Sequence, residues 1–208
     1  MKYQSMAAFA AMSVLVGAQP SFAQGHSEGL ELGNFYANCC GGSGDRASAQ
    51  TLHIPQKGFA VELTAADPSC CYNTYAGTGV EQLNGFRLTK YIRFTLSGPG
   101  NTSANSANFG VYVLWTSHGT EDGDFFTVAN GGLIHNGNLF RLNTNNHYHA
   151  IPPGSSLLEV DFELDGNCVS GQQVVDIQNV FLDNAFVNYE LDHGTIENES
   201  AFCSGGCQ

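Results

Sequence analysis

The sequence is poor in basic residues, with 7 lysines and arginines against 19 aspartates and glutamates in 208 residues and a net charge of -12. Nucleic acids and anionic membrane surfaces bind proteins through basic side chains, so this balance argues against both as partners. A helical period of apolar residues is also lacking. After the N-terminus no apolar run is long enough to cross a bilayer. We therefore expect a chain built from strands, without a transmembrane segment.

The first 23 residues have the three parts of a secretory signal peptide. Lys2 supplies the positive charge, residues 6–17 form the short apolar segment, and Ser21-Phe22-Ala23 is a small-x-small cleavage site. We predict cleavage after Ala23 and release to the periplasm or the extracellular space. Residues 24–208 are then expected to form one domain, large enough to bury a hydrophobic core.

No C-x-x-C pair is present among the 7 cysteines. In an exported chain such cysteines indicate a disulfide framework rather than a zinc site. Two vicinal pairs, Cys39-Cys40 and Cys70-Cys71, lie in the N-terminal third. Adjacent cysteines rarely bond each other because the small ring strains the backbone. We therefore predict that the two pairs are bridged to one another and hold the N-terminal loops.

The remaining cysteines lie in the C-terminal half. Cys168 is predicted to pair with Cys203 or with Cys207 of the C-terminal tail. The number of cysteines is odd, so one thiol is left over. It is either free or joins two chains, and the sequence leaves both alternatives open.

The clearest strand pattern lies in residues 155–183. Its first half alternates apolar with acidic side chains, which is the period of two of a half-buried strand. The apolar set is Leu158, Val160, Phe162 and Leu164, and the acidic set is Glu159, Asp161 and Glu163. A second β-branched run covers residues 174–181, after the turn residues Asp165-Gly166-Asn167. We predict a hairpin of two long strands.

Further strands are predicted where apolar residues alternate or cluster. They cover residues 29–36, the FAVEL segment within 51–64, residues 88–96 and residues 109–116, and a hairpin is predicted about Asn136-Gly137. Residues 37–50 and 65–82 are predicted to be loops held by cysteines, and residues 121–124 a turn. The pattern predicts an all-β, antiparallel β-sandwich stabilised by disulfides.

The order of these strands resembles that of the galactose-binding-like jelly rolls, which occur as carbohydrate-binding modules in secreted bacterial proteins. The resemblance covers residues 88–184. It rests on the lead-in IPPG at 151–154, the alternating strand after it, and the closing strand VDIQNVFL at 175–182, where Gln178 replaces the usual aspartate. The resemblance implies a jelly-roll sandwich and a non-catalytic module that binds extracellular carbohydrate.

Aromatic side chains are the candidates for sugar recognition, because sugar C–H faces stack on aromatic rings. Trp115 is the only tryptophan, and its alternative role is in the core. Tyr112 lies on the same strand but on the opposite face. Candidates on predicted loops are Tyr72, Tyr75, Tyr148 and Tyr189.

Two acidic sets are candidates for calcium, which binds oxygen ligands. The first is Glu121, Asp122 and Asp124 in one predicted turn, and the second is the acidic face of residues 159–163. Neither has the spacing of an EF-hand loop. The alternative for both sets is an ordinary solvated surface.

Histidines provide the transition-metal candidates. His147 and His149 lie on one face of an extended segment, an arrangement that can chelate a metal; the alternative is a polar loop. Cleavage after Gly25 would make His26 the N-terminus, and its amine and ring could then bind copper with a second histidine. That arrangement would resemble the copper-dependent polysaccharide monooxygenases.

Other catalytic motifs are missing. The sequence has no G-x-S-x-G elbow, no Walker loop and no dinucleotide fingerprint. Its carboxylates are too numerous to nominate a pair for glycoside hydrolysis. We therefore expect no catalytic activity. The alternative to a carbohydrate-binding module is a structural or matrix protein that assembles through exposed strand edges or through the spare cysteine.

Overall fold

The computed structural model describes residues 30–54, 58–97, 108–143, 146, 150–189 and 200–204. These residues form β-strands joined by turns and loops. The strands are β1 (Glu31–Asn38), β2 (Arg46–Ile54), β3 (Gly58–Ala66), β4 (Tyr75–Glu81), β5 (Ile92–Ser97), β6 (Phe109–Ser117), β7 (Thr120–Thr127), β8 (Leu133–Asn136), β9 (Leu139–Leu142), β10 (Ser156–Asp165), β11 (Gln173–Leu182), β12 (Ala185–Phe186), β13 (Asn188–Tyr189) and β14 (Ser200–Ser204). Within the described ranges, no helix is long and apolar enough to cross a membrane.

The strands form two sheets. Sheet A has six strands in the order β13-β1-β4-β10-β6-β7. Sheet B has eight, in the order β14-β2-β3-β11-β5-β9-β8, with β12 paired to β11. Neighbouring strands are antiparallel, apart from the short parallel pair of β1 with β13. The prediction of an all-β protein with two antiparallel sheets is therefore confirmed.

The hydrophobic core lies between the sheets. Phe94 of sheet B is at its centre, with its ring centroid 5.6 Å from that of Phe109, 5.6 Å from that of Phe140 and 5.1 Å from that of Phe162. Phe109 and Phe162 come from sheet A, so the rings of the two sheets interdigitate. These side chains are fully buried, and burial of this kind stabilises each by roughly 1.5–3 kcal/mol.

The predicted hairpin of residues 155–183 is wrong in its pairing. β10 bonds to β4 and β6 in sheet A, whereas β11 bonds to β3 and β5 in sheet B. Each is therefore an inner strand of its own sheet. The connection between them crosses from one sheet to the other, so that the apolar faces of both strands meet across the core.

The predicted apolar face of β10 is also wrong at one position. The pairing of β10 with β6 shifts between Leu157 and Glu159, which marks a β-bulge. Because a bulge changes which side chains face inward, Leu157 is fully buried and Leu158 is 41% exposed. Val160, Phe162 and Leu164 face the core as predicted.

Two predicted loops contain strands. β2 begins at Arg46 inside the predicted loop 37–50, and β4 lies inside the predicted loop 65–82. The inward residues of β2 include Ala47 and Ala49, and β4 reads YAGTGVE. Alanine and glycine carry little hydrophobic or β-propensity signal, so both strands are hidden in the sequence.

The hairpin about Asn136-Gly137 is confirmed, because β8 and β9 pair from Leu133 with Leu142 to Asn136 with Leu139. The predicted turn at 121–124 is wrong, since these residues lie within β7. The chain turns instead at His118-Gly119, where both residues have positive φ angles of 53° and 81°.

Three cysteine pairs lie at disulfide distance. They are Cys39–Cys203, Cys40–Cys71 and Cys70–Cys168, with Cα–Cα distances of 5.9, 6.1 and 4.1 Å. One bridge therefore joins the two vicinal pairs as predicted, while the predicted pairing of Cys168 with the C-terminal tail is wrong. Cys207 lies outside the described residues. Cys168 meets Cys70 because the connection from β10 to β11 runs beside the loop after β3, where the Cys168 N–H donates to Asp67 at 3.2 Å.

Candidate functional site

The outer face of sheet A carries a row of carboxylates along its centre. Glu159, Asp161, Glu163 and Asp165 alternate with core residues on β10, so all four point away from the core. β10 has β4 on one side and β6 on the other. The row therefore runs along an inner strand of the sheet rather than along an exposed edge.

Glycines flank the row on both sides. Glu163 is opposite Gly77 of β4 and opposite Gly110 of β6. A Cβ on Gly77 would overlap the ring of Tyr36, and a Cβ on Gly110 would overlap the ring of Phe125. The absence of side chains at these two positions lets both rings lie against the sheet on either side of Glu163.

Tyr36 lies across the sheet. Tyr36 belongs to β1, yet its hydroxyl donates a hydrogen bond to Oε2 of Glu163 at 3.3 Å, and Glu163 lies on β10, two strands away. Neighbouring strands are about 4.8 Å apart, so the side chain must lean along the surface instead of standing upright. The ring also packs edge-on against Tyr75, with the two centroids 6.1 Å apart.

Burial changes the protonation of the row. It raises the pKa of Asp161 to about 7, helped by a hydrogen bond and negative charge from Glu159. Burial likewise raises the pKa of Glu163 to about 7, with a contribution from Asp165, against the hydrogen bond from Tyr36. The pKa of Tyr36 is raised by burial and by the nearby carboxylates, so its hydroxyl remains a donor. Near neutral pH the row therefore offers both donors and acceptors.

These raised pKa values predict an unusual dependence of stability on pH. The folded protein binds more protons than the unfolded chain between about pH 4 and pH 7, so its free energy of unfolding falls as the pH rises through that window. Lowering the pH from about 8 to about 5.5 is expected to raise the melting temperature by a few degrees, as measured by circular dichroism. Asp67 and Asp183, whose pKa values are lowered, are charged in both the folded and the unfolded chain between about pH 5.5 and pH 8, so they do not oppose the effect over this interval.

The matched variant for this prediction is Asp161→Asn with Glu163→Gln. It is expected to show a shallower pH dependence but not a flat one, because burial also raises the pKa of Asp176 to about 6. A melting temperature that rises with pH in the wild-type protein across the same interval would contradict the raised pKa values.

The structure brings two of the predicted aromatic residues to this face. Tyr112 lies directly opposite Asp161, and Tyr75 directly opposite Asp165. Trp115 is 4% exposed and packs against Phe126 in the core, so its prediction as a stacking platform is wrong. Its position on the inner face of β6 is the physical reason.

The other predicted site residues lie elsewhere. Tyr72 is 72% exposed on the loop before β4, away from the carboxylate row. Residues outside the described ranges are Tyr148, His147, His149 and His26, and the side chain of Tyr189 is not described either. The candidate transition-metal site therefore falls outside the described residues.

The calcium candidate Glu121, Asp122 and Asp124 does not converge. These residues belong to the extended strand β7, where successive side chains point to opposite faces. Glu121 pairs across from Thr116, on the outer face, whereas Asp122 pairs across from the core residue Trp115. Asp122 and Asp124 share one face of β7, so Glu121 points away from both, and the three carboxylates cannot surround one ion from the same side.

A tighter set of possible ligands is found in the disulfide-linked loops. Among the described residues, ligand atoms of Cys40, Asp45, Asp67 and Cys71 lie within 4.8 Å of one another. Cys40 and Cys71 form a disulfide, however, and metals bind thiolates. Asp45 accepts hydrogen bonds from Gly42 and Ser69.

Asp67 is similarly engaged by the protein. It accepts backbone hydrogen bonds from Cys71 at 3.1 Å, from Tyr72 at 3.1 Å and from Cys168 at 3.2 Å. Burial alone would raise the pKa of Asp67, but these donors hold it below its usual range. The cluster therefore holds the loops of the two bridges together.

Two residues of the site are not recognisable from the local sequence, namely Tyr36 and Phe125. The signal that could have indicated them is the alternation of glycine in β4, at positions 77 and 79 on the outer face. Glycines that alternate in an inner strand leave space for side chains from neighbouring strands. A Cβ on Gly79 would overlap the carboxylate of Asp161.

No family model, no curated protein and no solved structure matches this chain. The geometry of the described residues is therefore the basis for its function.

Proposed function

We propose that this chain is a secreted, non-catalytic binding module for extracellular carbohydrate, built as a jelly-roll β-sandwich. The outer face of sheet A is its binding face. The observation that carries the proposal is the pair of rings, Tyr36 and Phe125, which lie against glycines on both sides of the carboxylate of Glu163. Sugars present C–H faces to aromatic rings and hydroxyls to carboxylates, so one face supplies both contacts.

The packing of the face favours a preformed site. Tyr36 is held by its hydrogen bond to Glu163 and by its edge contact with Tyr75. The ring of Phe125 fills the space above Gly110, where a Cβ would overlap it. Because these rings are already ordered, little conformational entropy is lost when a sugar binds.

The chain order of the strands supports the jelly-roll part of the proposal. β4, β6 and β10 lie in sheet A, while β3, β5 and β11 lie in sheet B, so the chain crosses repeatedly between the sheets. The predicted signal peptide and the three disulfides support export. The edge strand β7 carries three carboxylates, which disfavour pairing with the edge of a second copy.

Substitution of the rings tests the proposal. Tyr36→Ala and Phe125→Ala are each expected to weaken binding to the polysaccharide that the wild-type protein retains by at least about tenfold, since each removes a stacking surface. The measurement is affinity electrophoresis against a panel of neutral plant, algal and bacterial polysaccharides, followed by calorimetry with the retained one. The matched control is Phe202→Ala, an exposed aromatic residue on β14 of sheet B.

Retention that survives both ring substitutions would contradict the proposed face. So would an equal loss in the Phe202→Ala variant. Circular dichroism of each variant distinguishes a lost contact from a lost fold, because both rings lie on the outer surface of sheet A rather than in the core.

The raised pKa values favour one second candidate, glycoside hydrolysis on the same face. Hydrolases of this kind use one protonated and one ionised carboxyl group, with separations of about 5–10 Å. Asp161 and Glu163 are alternate residues of a strand, so their side chains are neighbours on one face. The pKa of each is raised to about 7, so near neutral pH one of the two carboxyl groups can hold a proton and act as the general acid while the other is ionised.

The retained polysaccharide separates the two candidates in the same experiment. A pure binding module releases no reducing ends from it. Release by the wild-type protein, together with its loss in Glu163→Gln and continued retention of the polysaccharide, would establish hydrolysis instead. Glu163→Gln keeps the shape of the side chain but cannot donate a carboxyl proton.

A further inference from the structure

A cavity of about 370 Å³ opens on the outer face of sheet B, where β5, β9 and β8 lie side by side. Its walls include Tyr91, Arg93, His135, Leu139 and Arg141. The volume suits a ligand of the size of one or two sugar rings. The cavity is on the opposite sheet from the carboxylate row, so it is a separate site.

Two arginines meet in this cavity. Arg93 of β5 and Arg141 of β9 are direct cross-strand partners. Like charges placed opposite each other in a sheet are destabilising, and this chain has only 7 basic residues against 19 acidic ones. Among the described residues, neither guanidinium forms an ion pair with a carboxylate. The fold therefore gathers positive charge here without neutralising it.

Aromatic rings hold one of the two guanidinium groups in place. Arg93 lies 4.3 Å from the centroid of the Phe181 ring and 5.2 Å from that of the Tyr91 ring. Its Nε is buried and has no hydrogen-bond partner among the described residues. An arginine kept for an internal contact would normally use this donor. The stacking instead orients the guanidinium group, while no acceptor in the described part of the chain takes up its Nε.

The carboxylate of Asp183, beside the segment that leads into β5, is already in use. Asp183 accepts hydrogen bonds from the backbone N–H groups of Lys90 at 2.6 Å and of Tyr91 at 2.8 Å, so its charge is directed at the backbone. The rest of the wall suits a sugar ring. Leu139 supplies apolar surface, and its direct cross-strand partner Asn136 supplies an amide that can hydrogen-bond a hydroxyl group.

We propose that this cavity binds the anionic group of an acidic sugar, through Arg93 and Arg141. Guanidinium groups match the planar, two-oxygen edge of a carboxylate and also bind the oxygens of a sulfate ester. The inference shares with the proposed function only the sugar nature of the ligand, since its residues belong to the other sheet. A module of this kind would bind a neutral polysaccharide on sheet A and an acidic sugar unit on sheet B.

The test is calorimetry at low ionic strength with galacturonate, galactose 6-sulfate and galactose. Either anionic sugar is expected to bind at least about tenfold more tightly than galactose, and the binding should weaken as sodium chloride is added. Arg141→Gln and Arg93→Gln are each expected to weaken it by at least about tenfold. The charge-matched control Lys90→Gln, an exposed lysine outside the cavity wall, should change it by less than about twofold. Preference for galacturonate assigns the site to carboxylates, and preference for galactose 6-sulfate assigns it to sulfate esters.

The absence of saturable binding by both anionic sugars would overturn the inference, as would equal losses in the arginine and lysine variants. Arg141 is exposed, so Arg141→Gln should fold normally and keeps the test valid if Arg93→Gln does not. Tyr36→Ala separates the two sites. It should leave the binding of the anionic sugar unchanged, and a loss in this variant would place the ligand on sheet A and overturn the assignment to sheet B.

Discussion

Removal of the Cys39–Cys203 disulfide, by Cys39→Ser and Cys203→Ser together, is expected to lower the free energy of unfolding by about 3–5 kcal/mol. This bridge spans 164 residues, which makes it the longest of the three. A cross-link over a long segment removes the most conformational entropy from the unfolded chain. It also joins the end of β1 in sheet A to β14 in sheet B, so its loss frees an edge where the sheets meet.

The matched control is the double variant Cys40→Ser with Cys71→Ser. Its bridge spans only 31 residues, and when each bridge is the single cross-link, in variants that lack the other two, the chain-entropy argument predicts a contribution smaller by about 1.5 kcal/mol for Cys40–Cys71 than for Cys39–Cys203. Guanidinium unfolding followed by circular dichroism measures both. Equal contributions would contradict the entropic explanation. Peptide mapping under non-reducing conditions tests the pairing itself, and a peptide that links Cys168 to Cys203 would show that the pairing is different.

The strands that could be predicted from the sequence are those with large alternating side chains. Ile92, Phe94 and Leu96 of β5 face the core as predicted. The same holds for Phe162 and Leu164 of β10. Each inward residue buries a large apolar area, and the outward residues between them are polar, so the period of two is visible in the chain.

β2 and β4 could not be predicted because tertiary contacts, not local propensity, make them strands. Gly77 and Gly79 weaken a strand by themselves. They are favourable here only because the Tyr36 ring and the Asp161 carboxylate occupy the space above them. β4 also bonds to β1 and β10 on both sides, so its backbone groups are satisfied by neighbours that are distant in sequence.

The candidate site, like the strands, could be predicted from the sequence only in part. The acidic face of β10 is visible in the sequence, where it predicts either a cation site or a solvated surface. Its partial burial is not visible, because it depends on Tyr36, which lies 127 residues before Glu163. The pairing of Arg93 with Arg141 likewise requires the register of β5 with β9. Local patterns specify which residues face outward, whereas the register specifies which of them meet.

Asp183→Ala is expected to lower the free energy of unfolding by about 3–5 kcal/mol, which is large for a residue outside the core. Its carboxylate accepts from the Thr89 N–H at 2.6 Å, the Thr89 hydroxyl at 2.8 Å, the Lys90 N–H at 2.6 Å and the Tyr91 N–H at 2.8 Å. Burial alone would raise the pKa of Asp183, but these donors hold it below its usual range. Alanine would leave three backbone donors without an acceptor at the start of β5.

Asp183→Asn refines this prediction, because it keeps the shape and tolerates the positive φ of 52° at this position. Its amide has one acceptor oxygen and one donor group that faces other donors, so the expected loss is about 1–3 kcal/mol. Asn184→Ala is the control. Within the described ranges, that neighbour accepts a hydrogen bond only from the exposed Tyr91 hydroxyl, at 3.1 Å, and its removal should cost less than about 1 kcal/mol. Guanidinium unfolding of the three variants provides the comparison, and equal midpoints for Asp183→Ala and Asn184→Ala would show that the carboxylate does not hold the segment that leads into β5.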